Sequence, residues 1–128
     1  MRLDGRSIIF AVLLLITVLW SCQNQQIKQA AAHLSGGDPE RGRGKILYYG
    51  CSSCHTIPGV TGADGLVGPP LKGMANRVYI AGVLPNNPDN MVRWIQHPKQ
   101  VDEKTAMPDL NVTNSDARDI AGYLYTLQ

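Results

Sequence analysis

Two cysteines and a histidine fall within five consecutive residues, Cys51-Ser52-Ser53-Cys54-His55, and residues 56 to 73 directly behind them carry five Gly and three Pro. That much Gly and Pro is incompatible with a regular helix or strand, so this stretch has to take its shape from whatever it wraps. The 128 residues suit one domain and leave no room for a second sizeable core. At 6% aromatic, with a single Phe, the chain owns few of the large side chains that normally fill an interior. A body other than protein is expected there. A formal net charge of +2, with no basic cluster backed by aromatic platforms, argues against nucleic acid as a partner.

Residues 1 to 22 differ in character from the rest and read as a targeting segment. Arg2 and Arg6 precede an apolar run from Ile8 to Trp20, interrupted only by Thr17. The run is shorter than the roughly 20 apolar residues a spanning helix needs, which favours a cleaved signal peptide. Leu19-Trp20-Ser21-Cys22 resembles the lipobox of bacterial lipoproteins, so Cys22 is the candidate for acylation; an uncleaved anchor is the alternative, and Trp20 and Asp4 are unusual for the pattern. On either reading the following domain faces outward from a membrane. Residues 23 to 37, with Gln-Asn-Gln-Gln, an Ala run and Ser35-Gly36-Gly37, read as a flexible linker of roughly 50 Å when extended. His33 in this stretch reads as a solvated linker side chain.

From residue 38 to 128 the pattern is all-α, with three to four helices and no sustained period-2 alternation. Asp38-Pro39 supplies an N-cap and a first-turn Pro for a helix ending near Tyr49, stopped by Gly50. Asn87-Pro88 starts a second, with Met91, Trp94 and Ile95 as its apolar stripe and Pro98 at its end. Residues 99 to 112 read as loop. Thr113 and Asp116 approximate a capping box, and Ala117, Ile120, Ala121, Leu124 and Leu127 mark the buried stripe of a C-terminal helix.

The spacing Cys-x-x-Cys-His is the motif of c-type haem attachment. Two thiols so placed can each add across a vinyl group of one porphyrin, and the adjacent imidazole then lies at the iron. Structural zinc needs four ligands, and no second Cys pair exists. A thioredoxin-like disulfide belongs to a βαβ context absent here, and a structural bond between Cys51 and Cys54 leaves His55 without a role. For the sixth ligand, Met107 lies in the loop Lys104-Thr105-Ala106-Met107-Pro108, where a flexible thioether can reach a haem. His97, at a helix end beside Pro98, is the runner-up; Met74 follows the Gly-rich loop at the start of a short helix, and Met91, on a helix stripe, reads as core.

Taken in order, Cys51 to His55, Gly68-Pro69-Pro70-Leu71, Trp94-Ile95-Gln96-His97-Pro98 and Thr105-Ala106-Met107 resemble the class I cytochromes c, a likeness covering nearly all of residues 38 to 128. The resemblance implies the cytochrome c fold around one covalent haem c. It also implies that the Pro69 carbonyl accepts a hydrogen bond from His55 and that Arg77 and Thr105 stand near haem propionates. Trp94 would pack along the ring, and Ile120 and Tyr123 would meet the first helix near Gly42 or Gly44. The short stretch between Arg77 and Asn87 departs from the larger members and removes an aromatic propionate ligand, for which Tyr79 is a weak substitute.

With His55 and Met107 both bound, the iron has no open position, which leaves single-electron transfer rather than enzymatic catalysis. The family then implies a carrier between respiratory donor and acceptor proteins, without a small-molecule substrate. A haem subunit fixed in a respiratory oxidoreductase, and a ligand-binding or sensory domain with a labile Met107, are the alternatives. If the leader is lost with Arg2, Arg6 and Asp4, ten Lys and Arg remain against nine Asp and Glu, which argues against strong electrostatic docking. Lys72, Lys99 and Lys104 are the residues that could ring the haem edge.

Overall fold

Asp38 accepts hydrogen bonds from the backbone N–H of Glu40 (2.8 Å) and Arg41 (3.3 Å), and with Pro39 in the first turn it starts a helix, as its sequence dictates. The computed structural model describes residues 5–128; Met1, Arg2 and Asp4 of the expected leader lie outside them. The helices are α1 (Gly5–Ser35), α2 (Pro39–Tyr48), α3 (Pro88–Gln96), α4 (Pro98–Val101) and α5 (Asn114–Leu124). Two-residue strands β1 (Tyr79–Ile80) and β2 (Leu84–Pro85) pair antiparallel, and single 3-10 turns cover Cys51–Ser53 and Met74–Asn76. The domain is all-α apart from that hairpin. The long loop expected at 99 to 112 is shortened by α4, because Pro98 ends one helix and, lacking an N–H to satisfy, also suits the first turn of the next.

The amphipathic helices bury most of the residues their periodicity marks, although Trp94 of α3 is only half-buried. Asn87 caps α3, which buries Met91, Val92 and Ile95, and Thr113 caps α5, which buries Ala117, Ile120, Ala121 and Leu124. Leu127, beyond the end of α5, is only partly covered. The α2 and α5 helices make the tightest crossing, and Gly42 makes it possible: a Cβ there would lie 2.0 Å from the Asp119 carbonyl oxygen. Gly44 has open space instead, so the partner of the last helix is Gly42. The Tyr123 hydroxyl donates to the Pro58 carbonyl at 2.7 Å. Gly42→Ala is expected to destabilise the domain by about 3 kcal/mol, since an obstructing backbone cannot yield as a side-chain tip can. Gly44→Ala should stabilise it by up to about 1 kcal/mol through helix propensity alone. Chemical denaturation of the two variants checks the pair.

Asp119, buried in α5, ties the start of α2 to that crossing. It takes both arms of the Arg41 guanidinium (2.8 and 2.9 Å) and the Asp38 N–H (2.7 Å). Burial on its own would raise the Asp119 carboxyl, but the Arg41 and Asp38 bonds outweigh it and hold the group below the usual range. Asp116 is lowered too, by the Tyr49 hydroxyl and then by Lys45. Carboxyls depressed in the folded state contribute stability that is complete above their unfolded pKa of about 3.9 and is lost as pH falls through the lower folded value. Thermal stability should therefore drop steeply below about pH 4. Asp119→Asn should cost about 1–3 kcal/mol at neutral pH and flatten that acid limb.

The stretch from 23 to 37, expected as a flexible linker, is helical through Ser35. It continues the helix of the apolar segment, so that α1 runs 31 residues, about 46 Å at 1.5 Å per residue. Gln, Ala, Lys and Leu are good helix formers, and the last turns have a surface to pack on: Ala31 and Ser35 are buried. Arg118 of α5 donates to the Ser35 carbonyl at 3.2 Å. Gly36, at φ +68°, ends α1, and a Cβ on Gly37 would lie 2.3 Å from the Arg118 backbone. The residues that read as flexible in sequence thus serve as a helix stop and a close approach. The apolar half, Ile8 to Trp20, is exposed; α1 is long and apolar enough over Ile8–Ser35 to cross a membrane, with none of its apolar window covered by protein.

Candidate cofactor site

Gly50, in the left-handed region at φ +73°, turns the chain off α2 into the tight 3-10 turn of Cys51 to Ser53. That turn aims Cys51, Cys54 and His55 into one cavity of about 410 Å³, a size typical of small-molecule and cofactor pockets. The opposite parts of the wall come from far along the chain: Pro69 and Leu71 from the Gly/Pro-rich loop, Met74 and Arg77, Met91, Trp94 and Ile95 from α3, Thr105 and Met107 from the loop after α4, and Ile120 and Leu124 from α5. Cys51, Cys54, His55, Pro69, Arg77, Trp94, Thr105 and Met107, all selected from sequence, line this single cavity. His97 does not; it is exposed, 3.4 Å from the Asp109 carboxylate. His33 is exposed at the end of α1, and Cys22 is exposed along its length.

The histidine is held in one tautomer. His55 Nδ1 lies 2.8 Å from the Pro69 carbonyl oxygen, which can only accept, so Nδ1 is the donor and Nε2 is the ring nitrogen left for a metal. Gly68 makes room for the ring, since a Cβ there would come within 2.4 to 2.9 Å of three ring atoms. Cys51 and Cys54 are not joined to each other, and burial pushes the Cys51 thiol up, the reverse of what an exchange-active thiolate requires. Among the described residues no three His, Cys, Asp or Glu side chains gather into a metal cluster, which leaves zinc without a ligand set. A mostly apolar cavity, two neighbouring thiols and an imidazole with one free nitrogen fit a covalently attached haem.

Hydrogen bonds fix the two loops that bring in Arg77 and Met107. The Arg77 guanidinium donates to the carbonyls of Pro70 and of Lys72 (3.0 Å), using one of its nitrogens and leaving other donors for an anion. Thr105 Oγ1 accepts the Met107 N–H at 3.2 Å, and Lys99 Nζ donates to the Thr105 carbonyl at 2.9 Å. Sequence reasoning missed Asn86. Its side-chain amide donates to the carbonyls of Met74 (2.9 Å) and Arg77 (2.8 Å) and its oxygen accepts from the Tyr125 hydroxyl (2.9 Å), which burial pushes up to about 12. The bridge pins the wall segment of Met74 and Arg77 to the C-terminal end of the chain. In sequence Asn86 is masked by Asn87, whose N-cap role accounts for an Asn before Pro88.

The family model for cytochrome c matches residues 42–128, which hold every residue of this cavity. The chain belongs to the cytochrome c family. Membership carries haem-based electron transfer with it, on an all-α fold of the class I type. This cytochrome is also 29% identical over 89 residues to cytochrome c oxidase subunit 2 of Alkalihalophilus pseudofirmus, an alignment covering 69% of this chain and 25% of the relative. The cytochrome thus spans about a quarter of that relative's length. No solved structure matches it.

Proposed function

We propose that this cytochrome is a single-electron carrier holding one haem c through Cys51 and Cys54, with His55 and Met107 as axial ligands. The observation that carries the reading is the His55–Pro69 bond: with Nδ1 engaged, Nε2 is the ring nitrogen left for the cavity whose wall also bears the Met107 thioether. A haem bound there supplies an iron that takes up and returns one electron. His55 and Met107 would hold that iron between them, leaving it no position for oxygen or peroxide, and the apolar wall would disfavour the extra charge of the oxidised state. Arg77 and Thr105 offer N–H and O–H donors to the propionates, and Trp94 packs along the ring. The partners are a redox protein as donor and another as acceptor, with no nucleic acid and no small-molecule substrate.

The cytochrome faces the periplasm or another extracytoplasmic space, tethered through an acylated Cys22 or an uncleaved N-terminal segment. Support comes from the exposed apolar half of α1 and from Arg6 ahead of it, on the side that positive charge keeps in the cytoplasm. Residues 38–128 then form the haem domain, and residues 23–37 a stiff post rather than a swinging tether. Spin labels on noncanonical residues at Gln25 and Ser115 of the holoprotein should report one narrow distance; a broad distribution would restore the tether. Likeness to an oxidase subunit 2 supports a second reading, a haem subunit fixed in a respiratory oxidoreductase, which purification from native membranes alone or within an assembly distinguishes.

The decisive measurement is a pyridine haemochrome spectrum with intact mass, on protein matured beside working haem-ligation machinery. One haem per chain is expected, and N-terminal acylation at Cys22 reads out in the same mass. Colourless protein with both thiols free would end the haem reading.

A further inference from the structure

Arg77 borders two cavities. It is the only Lys, Arg, Asp or Glu lining the haem cavity, and it also lines a second cavity of about 580 Å³ between α1 and the haem domain, with Ile27 and Leu34 on the α1 side. A half-buried guanidinium so placed has two ways to turn. Asn86 and Tyr125 line only the second cavity, behind Arg77. The Asn86 amide has two N–H donors, and the carbonyls of Met74 (2.9 Å) and Arg77 (2.8 Å) take both. Its backbone N–H goes to the Val78 carbonyl at 2.9 Å, so Asn86 holds three carbonyls of the segment that carries Arg77. Tyr125, buried in the domain, donates to Asn86 Oδ1 at 2.9 Å and fixes the amide in turn.

We infer that Asn86 is the positioning residue for Arg77: by fixing the Arg77 backbone it keeps the guanidinium on the haem side, where its charge raises the potential of the iron. The inference rests on the haem reading above. A haem brings two carboxylates into the cavity, and Arg77 is the one charged side chain of that wall that can meet them. Its Nη2 is held by the Pro70 and Lys72 carbonyls, which leaves Nε and Nη1 as donors. A positive charge beside the haem favours the reduced iron, which carries one positive charge less. Without the Asn86 amide, two carbonyls lose their donors, and the segment can shift until water from the second cavity replaces them. Arg77 then has room beside α1, where water solvates its charge better than the apolar haem cavity does.

The test is a set of midpoint potentials, measured on holoprotein of the full chain at one pH and one salt concentration. Asn86→Ala should lower the potential in the same direction as Arg77→Gln and by at least about half as much, yet add less than about a fifth of that shift when Arg77 is already Gln. Asn90→Ala is the control for simple loosening. It breaks a bond from the Asn90 amide to the Pro85 carbonyl (2.9 Å) on the same hairpin, lines neither cavity, and should leave the potential where it is. If Asn86→Ala does not mature, Asn86→Ser, whose single hydroxyl cannot serve two carbonyls, takes its place in the cycle. Equal shifts with and without Arg77, no shift at all, or a matching shift in Asn90→Ala would overturn the positioning role. So would Arg77→Gln at the wild-type potential. A wild type with no haem spectrum would instead overturn the reading beneath it.

Discussion

Cys51→Ala combined with Cys54→Ala is expected to leave a haem-free chain with no cooperative thermal transition. The cavity between α2, α3, α5 and the loops measures about 410 Å³. An unfilled cavity costs on the order of 24 cal/mol per Å³, so leaving this one empty would cost about 10 kcal/mol. A domain's whole stability is about 5–15 kcal/mol. The Gly/Pro-rich loop cannot offset such a loss, and collapse around the void would sacrifice the α2–α5 crossing. Calorimetry with near-ultraviolet circular dichroism checks this: a sharp transition and native-like aromatic signals in the double variant would show that the fold does not need its cofactor. Cys22→Ser, at an exposed position on α1, should melt as the wild type does.

Met107→Ala should convert a closed site into an open one. Loss of the thioether is expected to lower the midpoint potential by on the order of 100 mV or more, within the roughly 0.8 V range that axial ligands control. The ferrous variant should bind carbon monoxide rapidly, and the weak charge-transfer band of a Met-to-ferric-iron bond should vanish. The fold should persist, because Met107 is half-buried in a loop pinned independently by Thr105, Asp102 and Lys99. The same experiment on the wild type separates the carrier from a sensory domain. Rapid carbon monoxide binding with Met107 present would favour the sensor, and a variant indistinguishable from wild type would remove Met107 from the ligand set.

The site was legible where its chemistry is local. Cys51, Cys54 and His55 sit in one turn, so spacing alone places them together, and the loop position of Met107 sets it apart from Met91 on its buried stripe. Caps were legible for the same reason: the contacts of Asp38, Asn87 and Thr113 run two or three residues along the chain. Asn86 was not legible, because its partners Met74, Arg77 and Tyr125 are distant in sequence and an Asn before a capped helix attracts no notice. The charge and aromatic content of the chain suggested weak electrostatic docking, but nothing in composition shows that the exposed cavity residues are all apolar.

The N-terminal third shows most plainly where local reading stops. Gln-rich and Ala-rich residues followed by Ser35-Gly36-Gly37 have the composition of a linker, and their helix propensity by itself does not hold a helix in water. Ala31 and Ser35 become a post only because Gly37 and Gly122 let α1 settle on α5 and Arg118 closes the junction. By itself, then, the order of residues determined the haem-binding turn, the helix starts and the buried stripes, since these depend on spacing along the chain. Tertiary structure decided the choice of Gly42 over Gly44, the seating of the end of α1 on α5, the Asn86 bridge and the apolar character of the exposed cavity residues, because each depends on which distant surfaces meet and on how closely their backbones can approach.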